Sequence, residues 1–255
     1  MEYIISASTD IGIKKDTNQD CLSVKLINSP VGKIVFAVIC DGMGGLQKGE
    51  VASAAVVKAF DLWVNKNLLP LLESGFSNEK LREEWSNIVR KQNNKILSYG
   101  RNLGINLGTT IAAALFVGSS YWIMNIGDSR VYEIADGVKQ LTHDHTVVAR
   151  EIEMGILKPD EALSDPRRNV LLQCIGASDD IEPEFYSGEI KRNSVYFLCS
   201  DGFIHEISDS EIYEAFCPSE MTDKDILKKR TDYLIETDKQ RMEKDNISVI
   251  VIKTN

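Results

Sequence analysis

The 255-residue sequence predicts an α+β fold, because strand-like runs cluster towards both ends of the chain and helical patterns occur in pairs between them. Residues 2–8, 21–27 and 33–40 are the first strand-like runs, and the VFAVIC stretch within the third is apolar on both faces. Such a stretch is typical of a central strand covered on both sides. We therefore expect packed layers of sheet and helix rather than a parallel sheet built from βαβ units.

Two helices are predicted next, over about 48–67 and 78–101, because side chains recur at helical spacing in both segments. We interpret the tryptophan in each helix as a core anchor rather than a ligand contact. The predicted faces consist of Val51, Ala55, Ala59, Phe60 and Trp63 in the first helix, and of Leu81, Trp85, Ile88, Val89, Gln92 and Ile96 in the second.

Three consecutive strand-like runs follow, with the sequences TIAAALFV, SYWIMNI and RVYEIA. Gly118-Ser119-Ser120 is a turn signal between the first two, and Asp136-Gly137 is a hairpin turn signal after the third. The segment 147–183 has only short helical patterns. Strands return at about 184–190 and 194–200, and the chain ends with the strand NISVIVIK.

Capping patterns predict two further helix starts in the last quarter of the chain. Ser208 with Glu211 forms a capping box before IYEAF. Thr222 with Asp225 forms a weaker version before ILKKRTDYLIE. Both segments are therefore expected to be helical.

The composition is that of a globular protein, with 43% hydrophobic residues, 26% charged residues and a net charge of −9. This charge argues against nucleic acid as a partner. No linker rich in Pro, Gly or Ser divides the chain, so we expect one domain over residues 1–255. The start of the chain lacks the features of a signal peptide, and no apolar run could span a bilayer. We therefore expect a cytoplasmic protein with no membrane partner.

The five cysteines form no CxxC pair, and each lies in or just beside an apolar run. We interpret them as small buried side chains in a reducing compartment. A redox role for Cys40 or Cys199, which lie close to acids at strand ends, stays open as the alternative.

Five acids lie at the edges of strand-like runs, where an uncompensated carboxylate is costly to bury. They are Asp20, Asp41, Asp128, Asp201 and Asp245. If several of these strand ends meet, carboxylates ~4 Å apart repel by roughly 4 kcal/mol at an effective dielectric of 20. Divalent cations turn that repulsion into attraction. The pattern therefore predicts a metal site with oxygen ligands on a sheet edge, which suits Mg²⁺ or Mn²⁺ better than zinc.

The string Asp41-Gly42-Met43-Gly44-Gly45 is the most specific part of this pattern. The Asp41 carboxylate has two oxygens that could bridge two cations, and the Gly42 carbonyl could be a further ligand. Gly44 and Gly45 permit a sharp exit into the next helix. Taken alone, the string is as typical of a turn as of a site.

Two of the other acids also have a simpler interpretation. Asp128 could be a turn acid with Arg130 as its partner, and Asp245 could be a turn acid before a strand. The occurrence of the acids as a group is what favours a functional site.

Eight short strings occur in an order and spacing that extend over about residues 5–252. They are Asn18-Gln19-Asp20, Asp41-Gly42-Met43-Gly44-Gly45, Gly108-Thr109-Thr110, Gly127-Asp128-Ser129-Arg130, Leu141-Thr142-His143-Asp144-His145, Ile175-Gly176, Ser200-Asp201-Gly202 and Asp245-Asn246. This ordered set resembles the metal-dependent protein phosphatase family, the type 2C serine/threonine phosphatases, in its bacterial branch.

The resemblance implies an α-β-β-α sandwich, in which two packed antiparallel sheets are flanked by helix pairs. It implies hydrolysis of phosphoserine and phosphothreonine by a metal-activated water, without a covalent phosphoenzyme. Segment 147–183 corresponds to a variable flap beside the site. A catalytically silent regulatory module that binds a phosphoprotein or kinase is the main alternative, and a phosphatase for small molecules is another.

The resemblance also implies a binuclear Mn²⁺ or Mg²⁺ centre. Asp41 would bridge the two ions, the Gly42 carbonyl would bind one, and Asp201 and Asp245 would bind the other. Asp128, with Asp201, would hold a weaker third ion.

Outside this ligand set, the resemblance implies that Asp20 orients metal-bound waters, which completes a catalytic set of Asp20, Asp41, Asp201 and Asp245. Asn246 would fix the neighbouring loop. The implied partners are phosphorylated proteins and, by family habit, a serine/threonine kinase. We expect a monomer.

Three residues depart from the family pattern. Lys15 replaces an arginine that grips the substrate phosphate, and because lysine lacks the bidentate fork we predict weaker phosphate binding there. Gln19 stands where many relatives have an acid. Met43 stands where eukaryotic relatives have a histidine thought to be the general acid, so we expect metal-bound water to protonate the leaving group.

Two further features are less specific. We interpret His143 and His145 as structural loop residues rather than metal ligands, because no further histidine or cysteine lies nearby in sequence. Arg167 and Arg168 could contact phosphate or an acidic peptide, or could equally be a solvated basic pair.

Overall fold

The computed structural model describes residues 1–43, 48–162 and 165–255. Gly44 and Gly45, which the sequence assigns to a sharp exit into a helix, lie outside the described residues. Two five-stranded antiparallel sheets form the centre of the structure. One contains, in spatial order, β1 (Tyr3–Asp10), β12 (Ile247–Thr254), β11 (Val195–Cys199), β8 (Arg130–Ile134) and β9 (Val138–Gln140).

The second sheet contains β10 (Glu184–Glu189), β7 (Ser120–Ile126), β6 (Ile111–Val117), β3 (Gly32–Cys40) and β2 (Cys21–Ser29). A separate two-stranded ribbon pairs β4 (Gly42–Met43) with β5 (Gly108–Thr109). Every strand pair is antiparallel, as expected from short connections such as the turn between β6 and β7.

Helices cover the outer faces of both sheets. They are α1 (Gly49–Trp63), α2 (Leu69–Glu73), α3 (Asn78–Leu103), α4 (Val147–Glu153), α5 (Pro159–Ala162), α6 (Asp209–Ala215) and α7 (Lys224–Gln240), with a π-helical turn over Val64–Leu68 and a 3-10 turn over Asp201–Phe203. The α1–α3 helices pack on the second sheet, and α6 and α7 pack on the first. The structure thus confirms the α-β-β-α arrangement.

Strand β3 shows how the period of a strand builds this layering. Its odd-numbered apolar residues, from Val35 to Ile39, face the other sheet, and its even-numbered ones, from Ile34 to Cys40, face the helices. Residues 34–40 are fully buried. The prediction of a central strand covered on both faces is confirmed.

An aromatic cluster joins the outer helices to β3. Trp85 of α3 is fully buried and lies edge-to-face with Trp63 of α1, with ring centroids 5.7 Å apart. Phe36 of β3 and Phe60 of α1 stack beside them at 6.0 Å. Such pairs add about 0.5–1.5 kcal/mol each beyond the burial of their area. The prediction that both tryptophans are core anchors is confirmed.

The predicted apolar face of the first helix is partly wrong. Phe60 and Trp63 are in the core, but Val51 is 38% exposed, and Ala52 and Val56 are buried in its place. The α-helix also ends earlier than predicted, at Trp63, and a π-helical turn over Val64–Leu68 follows it. The face turns by about one residue because the large aromatic side chains, rather than the small ones, fix how the helix packs.

Of the turn and helix-capping patterns predicted from the sequence, some are confirmed and one is wrong. The hairpin turn at Asp136-Gly137 lies between β8 and β9, and Ser208 with Glu211 forms a complete capping box on α6. The predicted cap at Thr222 is wrong, because the Asp223 carboxylate accepts the first N–H groups of α7 instead. A carboxylate at the N-cap also interacts favourably with the helix dipole. None of the helices that the structure describes is long and apolar enough to cross a membrane.

Candidate metal centre

The five acids predicted as a group lie at one edge of the sheet pair. The first residue of β2 is opposite the last residue of β3, so Asp20 and Asp41 lie side by side. In the other sheet, the end of β11 is opposite the start of β8 and lies beside β12. This register places Asp128, Asp201 and Asp245 at a common edge.

Burial and mutual repulsion raise the pKa values of these acids. For Asp41, burial is the largest cause, the charges of the other four acids add to it, and the pKa lies well above its ordinary value. Burial and then the charge of Asp201 raise the pKa of Asp128 in the same direction. These shifts are the expected result of burying several carboxylates close together.

Asp41 is positioned by the Gly108-Thr109-Thr110 string. The Thr110 hydroxyl accepts a hydrogen bond from the Asp41 N–H at 2.9 Å, and the Thr110 N–H donates to the Asp41 carbonyl at 2.9 Å. The Thr109 hydroxyl donates to the same carbonyl at 2.8 Å. The backbone of Asp41 is therefore fixed by its neighbours, while its carboxylate is left for the site.

Asp20 has one paired and one unpaired carboxylate oxygen. Its Oδ2 accepts a hydrogen bond from the Ser200 hydroxyl at 2.9 Å, whereas its buried Oδ1 has no partner among the described residues. Burial raises the pKa of Asp20 to about 7; hydrogen bonds from Ser248 and Ser200 lower it, and the charges of Asp201 and Asp245 raise it. An unpaired buried oxygen of this kind calls for a cation or an ordered water.

Asp201 begins the 3-10 turn that follows β11 and is oriented in a similar way. Its Oδ2 lies 3.4 Å from His205 Nε2, and its buried Oδ1 has no partner in the described part of the chain. Burial raises its pKa, although His205 opposes the shift. The next residue must be Gly202, because a Cβ there would lie 2.2 Å from the Asn246 carbonyl oxygen.

Asp245 and Asn246 connect the end of the chain to the loop before β2. Asn246 accepts the Gln19 N–H at 2.9 Å and donates to the carbonyl of Ile11 at 2.9 Å. The predicted loop-fixing role of Asn246 is confirmed. Asp245 Oδ1 lies 2.7 Å from the ammonium of Lys15. Lys15 is therefore at the site, held on an acid that the sequence assigns to a metal.

The structure does not support the alternative in which Asp128 is a turn acid paired with Arg130. Arg130 instead makes a bidentate contact with Asp144, with distances of 2.8 Å and 2.6 Å to its two oxygens. This fork geometry fits guanidinium and carboxylate better than a contact within the turn. The side chain of Asp128 is thus left at the site edge, where the charge of Arg130 offsets only part of the rise in its pKa, and this makes the turn-acid interpretation weaker.

The carbonyl of Gly42 meets the side chain of Gln19. With its amide oriented to satisfy both contacts, Gln19 donates to the Gly42 carbonyl at 3.3 Å and accepts from the Gly49 N–H at 3.1 Å. A Cβ on Gly42 would lie 2.5 Å from the Gln19 carbonyl oxygen. Gln19 therefore holds the loop that carries Asp41 and Gly42, although it carries no charge.

The donor set fits a hard divalent cation. Among the described residues, two buried carboxylate oxygens at this edge, Oδ1 of Asp20 and Oδ1 of Asp201, have no hydrogen-bond partner. Asp41 lies close enough to Asp201 to influence its pKa. Within 1–43, 48–162 and 165–255, no three His, Cys, Asp or Glu side chains form a group that could hold an ion by themselves. Mg²⁺ is usually bound by one or two carboxylates together with backbone oxygen and several waters. The lack of a group of three protein side chains is therefore compatible with a Mg²⁺-type site.

The remaining predicted residues lie in the loop beside the site. His145 is buried, and its Nδ1 accepts the Gly127 N–H at 3.2 Å. His143 is exposed and lies 3.3 Å from Glu153. Arg167 pairs with Glu151 at 2.8 Å. These contacts agree with a structural role for both histidines, and Arg167 is part of an ion pair rather than a solvated basic pair.

Sequence reasoning missed two residues that contact the site, His205 and Glu243. His205 lies 3.1 Å from Glu243 as well as 3.4 Å from Asp201. Burial disfavours the charged ring, but the hydrogen bond with Glu243 and the nearby negative charges outweigh it and raise the pKa of His205. His205 lies four residues after Asp201, a spacing that could have indicated a contact.

A cavity of about 280 Å³ extends from the acids to the flap. Asp128, Asp201 and His205 line it together with apolar side chains of α4 and α5, including Ile152. Arg168 also lines it, so this residue lies beside the site as the sequence allowed. The lining thus combines charged and apolar side chains.

Comparisons with known proteins point to one family. The family model for protein phosphatase 2C matches residues 13–230. Protein phosphatase PhpP of Streptococcus pneumoniae is 30% identical over 256 residues, which cover 98% of this chain and 97% of the relative. Serine/threonine phosphatase stp of Listeria innocua is 29% identical over 224 residues, which cover 86% and 84% of the two chains.

Solved structures agree in fold over the whole chain. The S. agalactiae serine/threonine phosphatase superposes with a TM-score of 0.84 at 27% identity and covers 100% of both chains. The Mycobacterium tuberculosis serine/threonine phosphatase PstP/Ppp gives 0.81 at 29% identity, covering 99% of both. A structure of the PstP catalytic domain with two manganese ions gives 0.78 at 26% identity and covers 100% of both.

Proposed function

This chain belongs to the protein phosphatase 2C family, and from that premise we propose which of its residues carry the reaction. The protein is a metal-dependent protein serine/threonine phosphatase, and it uses Mn²⁺ or Mg²⁺. The observation that carries the residue assignment is the group of five acids at one sheet edge, where a buried oxygen of Asp20 and one of Asp201 have no partner in the described part of the chain.

The proposed ligands follow the positions of these acids. Asp41, the Gly42 carbonyl, Asp201 and Asp245 would together hold two ions. Asp128, with Asp201, would hold a weaker third ion. Support comes from the electrostatic coupling of Asp41 to the other four acids and from the unpartnered Oδ1 of Asp201.

When bound, such ions act as Lewis acids that lower the pKa of water and stabilise negative charge on a phosphoryl group. The chain's own residues orient the attacking water and bind the substrate phosphate. Asp20 has its Oδ2 fixed by Ser200, so its free Oδ1 is the acceptor that orients the attacking water. Lys15 lies at the edge of the site with 39% of its side chain exposed, where its ammonium can shift from Asp245 to a substrate phosphate.

Met43 cannot donate a proton to the leaving group. A thioether carries no exchangeable proton, so the leaving hydroxyl of serine or threonine takes its proton from water in the site. Burial lowers the pKa of His145, and its Nδ1 accepts the Gly127 N–H, so the neutral ring is favoured over the charged form that a general acid would use.

The cavity beside the acids supports a protein substrate. Its lining includes apolar flap residues such as Val148 and Ile152 as well as Arg168. We propose that side chains next to the phosphorylated residue occupy it, and that residues 1–255 act as one domain with 147–183 as the flap. A site for small phosphate esters would not need this apolar extension.

We place the enzyme in the cytoplasm as a monomer that acts on proteins phosphorylated by a serine/threonine kinase. All five cysteines are free, and Cys40, Cys174 and Cys199 are buried, which suits a reducing compartment. Size-exclusion chromatography with light scattering tests the oligomeric state. A mass near twice the chain's 28.5 kDa would contradict it.

The test of the function is a phosphopeptide assay with a metal titration. Purified protein stripped with EDTA should be inactive, and Mn²⁺ or Mg²⁺ should restore release of phosphate from phosphoserine and phosphothreonine peptides. Asp232→Asn, which changes an exposed acid on α7, serves as the matched control and should retain full activity. A protein that binds Mn²⁺ without hydrolysing any phosphopeptide would instead be a silent regulatory module.

A second arm of the same assay compares substrates. Phosphopeptides and a panel of phosphorylated metabolites are tested at equal concentration. The proposed function predicts a higher kcat/KM for the peptides. Faster turnover of a metabolite would make the protein a small-molecule phosphatase.

A further inference from the structure

A histidine and a glutamate behind the acid group form a bridge that the reaction described above does not use. His205 Nε2 lies 3.4 Å from Asp201 Oδ2, and His205 Nδ1 lies 3.1 Å from Glu243 Oε2. The side chains are 16% and 7% exposed, so solvent screens these contacts little. The imidazole therefore lies between two buried carboxylates.

The other oxygen of Glu243 holds a different part of the site. Glu243 Oε1 accepts the backbone N–H of Lys244 at 2.6 Å and the backbone N–H of Asp245 at 2.8 Å. These bonds fix the turn that presents the Asp245 carboxylate just before β12. One glutamate side chain is thus joined to Asp201 through His205 and to Asp245 through the backbone.

The bridge constrains two segments that are far apart in sequence. Asp201 begins a short turn after β11, and Asp245 precedes β12, so 44 positions separate the two acids (245 − 201). His205 occupies Asp201 Oδ2 and leaves Oδ1 with no partner among the described residues. The contact therefore sets which oxygen of Asp201 faces the other acids.

We propose that Glu243 and His205 are positioning residues that hold Asp201 and Asp245 in register and thereby set the affinity of the site for a divalent cation. The inference rests on the proposed function, because it takes Asp201 and Asp245 as ion ligands. Residues that orient metal ligands through hydrogen bonds typically change metal affinity or activity by 10- to 100-fold when they are replaced.

Substitutions can separate the two contacts of the ring. His205→Asn keeps a polar atom near the position of Nδ1, so it retains the contact with Glu243 and loses the contact with Asp201. His205→Gln reaches the position of Nε2 and does the reverse. Glu243→Gln keeps an oxygen for the backbone N–H groups but cannot accept from the imidazole. His143→Asn changes an exposed histidine in the neighbouring loop and is the matched control.

The primary readout is Mn²⁺ binding by isothermal titration calorimetry, with thermal unfolding in EDTA measured on the same samples. We expect His205→Asn and Glu243→Gln to raise the Mn²⁺ Kd about 10- to 100-fold, and His205→Gln to recover part of the affinity. The midpoint in EDTA should stay within a few degrees of wild type. In the phosphatase assay, saturating Mn²⁺ should restore kcat, and the KM for peptide should not change.

Unchanged Mn²⁺ affinity in folded His205→Asn and Glu243→Gln would overturn the inference. A loss of Mn²⁺ affinity that occurs only together with a loss of stability in EDTA would also overturn the inference. That result is expected if the contacts of His205 and Glu243 serve only to stabilise the fold. If the His205 variants fail to fold, Glu243→Gln decides alone. Wild-type protein that binds Mn²⁺ but hydrolyses no phosphopeptide would contradict the proposed function and leave the positioning role intact.

Discussion

Replacing Asp20 by asparagine should stabilise the metal-free protein while it damages the enzyme. Burial and neighbouring acids raise the pKa of Asp20 from 3.8 to about 7. A carboxyl group whose pKa is raised by folding weakens the fold above its ordinary pKa, so the cost begins near pH 4 and is complete above pH 7. At about 1.4 kcal/mol per pH unit, this cost is about 4 kcal/mol.

Asparagine removes that cost and keeps the shape of the side chain. Its carbonyl oxygen can still accept from Ser200, which donates to Asp20 at 2.9 Å in the wild-type protein. For a chain of this length, about 4 kcal/mol corresponds to an increase of about 8 °C in the unfolding midpoint, and relaxation of the neighbouring acids reduces it to about 4–8 °C. The gain should be largest at pH 8 and vanish near pH 4.

The assay is differential scanning calorimetry in EDTA at pH 4, 6 and 8, repeated at pH 8 with Mn²⁺. Mn²⁺ should stabilise the wild-type protein more than Asp20→Asn, because the stability that a bound ligand adds rises with the logarithm of its affinity. Asp232→Asn is the control, since its exposed pair with Lys228 is worth at most about 1 kcal/mol. An Asp20→Asn midpoint equal to or below wild type at pH 8 in EDTA would refute the reasoning.

Three further predictions concern other groups. Asp41→Asn should abolish hydrolysis of p-nitrophenyl phosphate with the circular dichroism spectrum unchanged, and activity near wild type would refute its assignment. Lys15→Arg should lower the KM for a phosphopeptide, because the guanidinium fork can bind phosphate and Asp245 together; an unchanged or higher KM would count against a phosphate role. Asp238→Asn should stabilise the fold by at most about 4 kcal/mol at pH 7 and by almost nothing near pH 4. The reason is that burial and then Glu243 raise the Asp238 pKa to about 8, and both carboxylate oxygens lack hydrogen bonds within the described residues. Urea denaturation at the two pH values measures the effect, and a pH-independent effect would contradict the prediction.

The sequence predicted the layers and the meeting of the acids for a physical reason. Side chains along a strand alternate with a fixed period, and an acid just before or after a buried strand lies where that strand ends. Such an acid therefore lies at the edge of the sheet formed by the strand ends, whichever strand is the neighbour. The pairing of β2 with β3 then brings Asp20 to Asp41. Local signals were also sufficient where the interaction spans a few residues, as in the capping box of Ser208 and Glu211.

Contacts between side chains that are distant in sequence were not predictable from local sequence patterns. Arg130 has acids on both sides in sequence, and only the fold decides that Asp144 is within reach. The bridge from His205 to Glu243 joins residues 38 positions apart, and no periodicity marks it. The exposed side of the first helix was misjudged because small residues can lie in a core or beside a groove, and the aromatic partners decide which.

The most direct test of the central claim is the anomalous difference map of a crystal soaked in Mn²⁺. We expect two strong peaks at the shared sheet edge, both next to Asp41, with one in contact with the Gly42 carbonyl and the other with Asp201 and Asp245. Ligand oxygens should lie about 2.0–2.3 Å from the peaks. No peak between these groups, or peaks bound elsewhere while the acids stay apart, would contradict it.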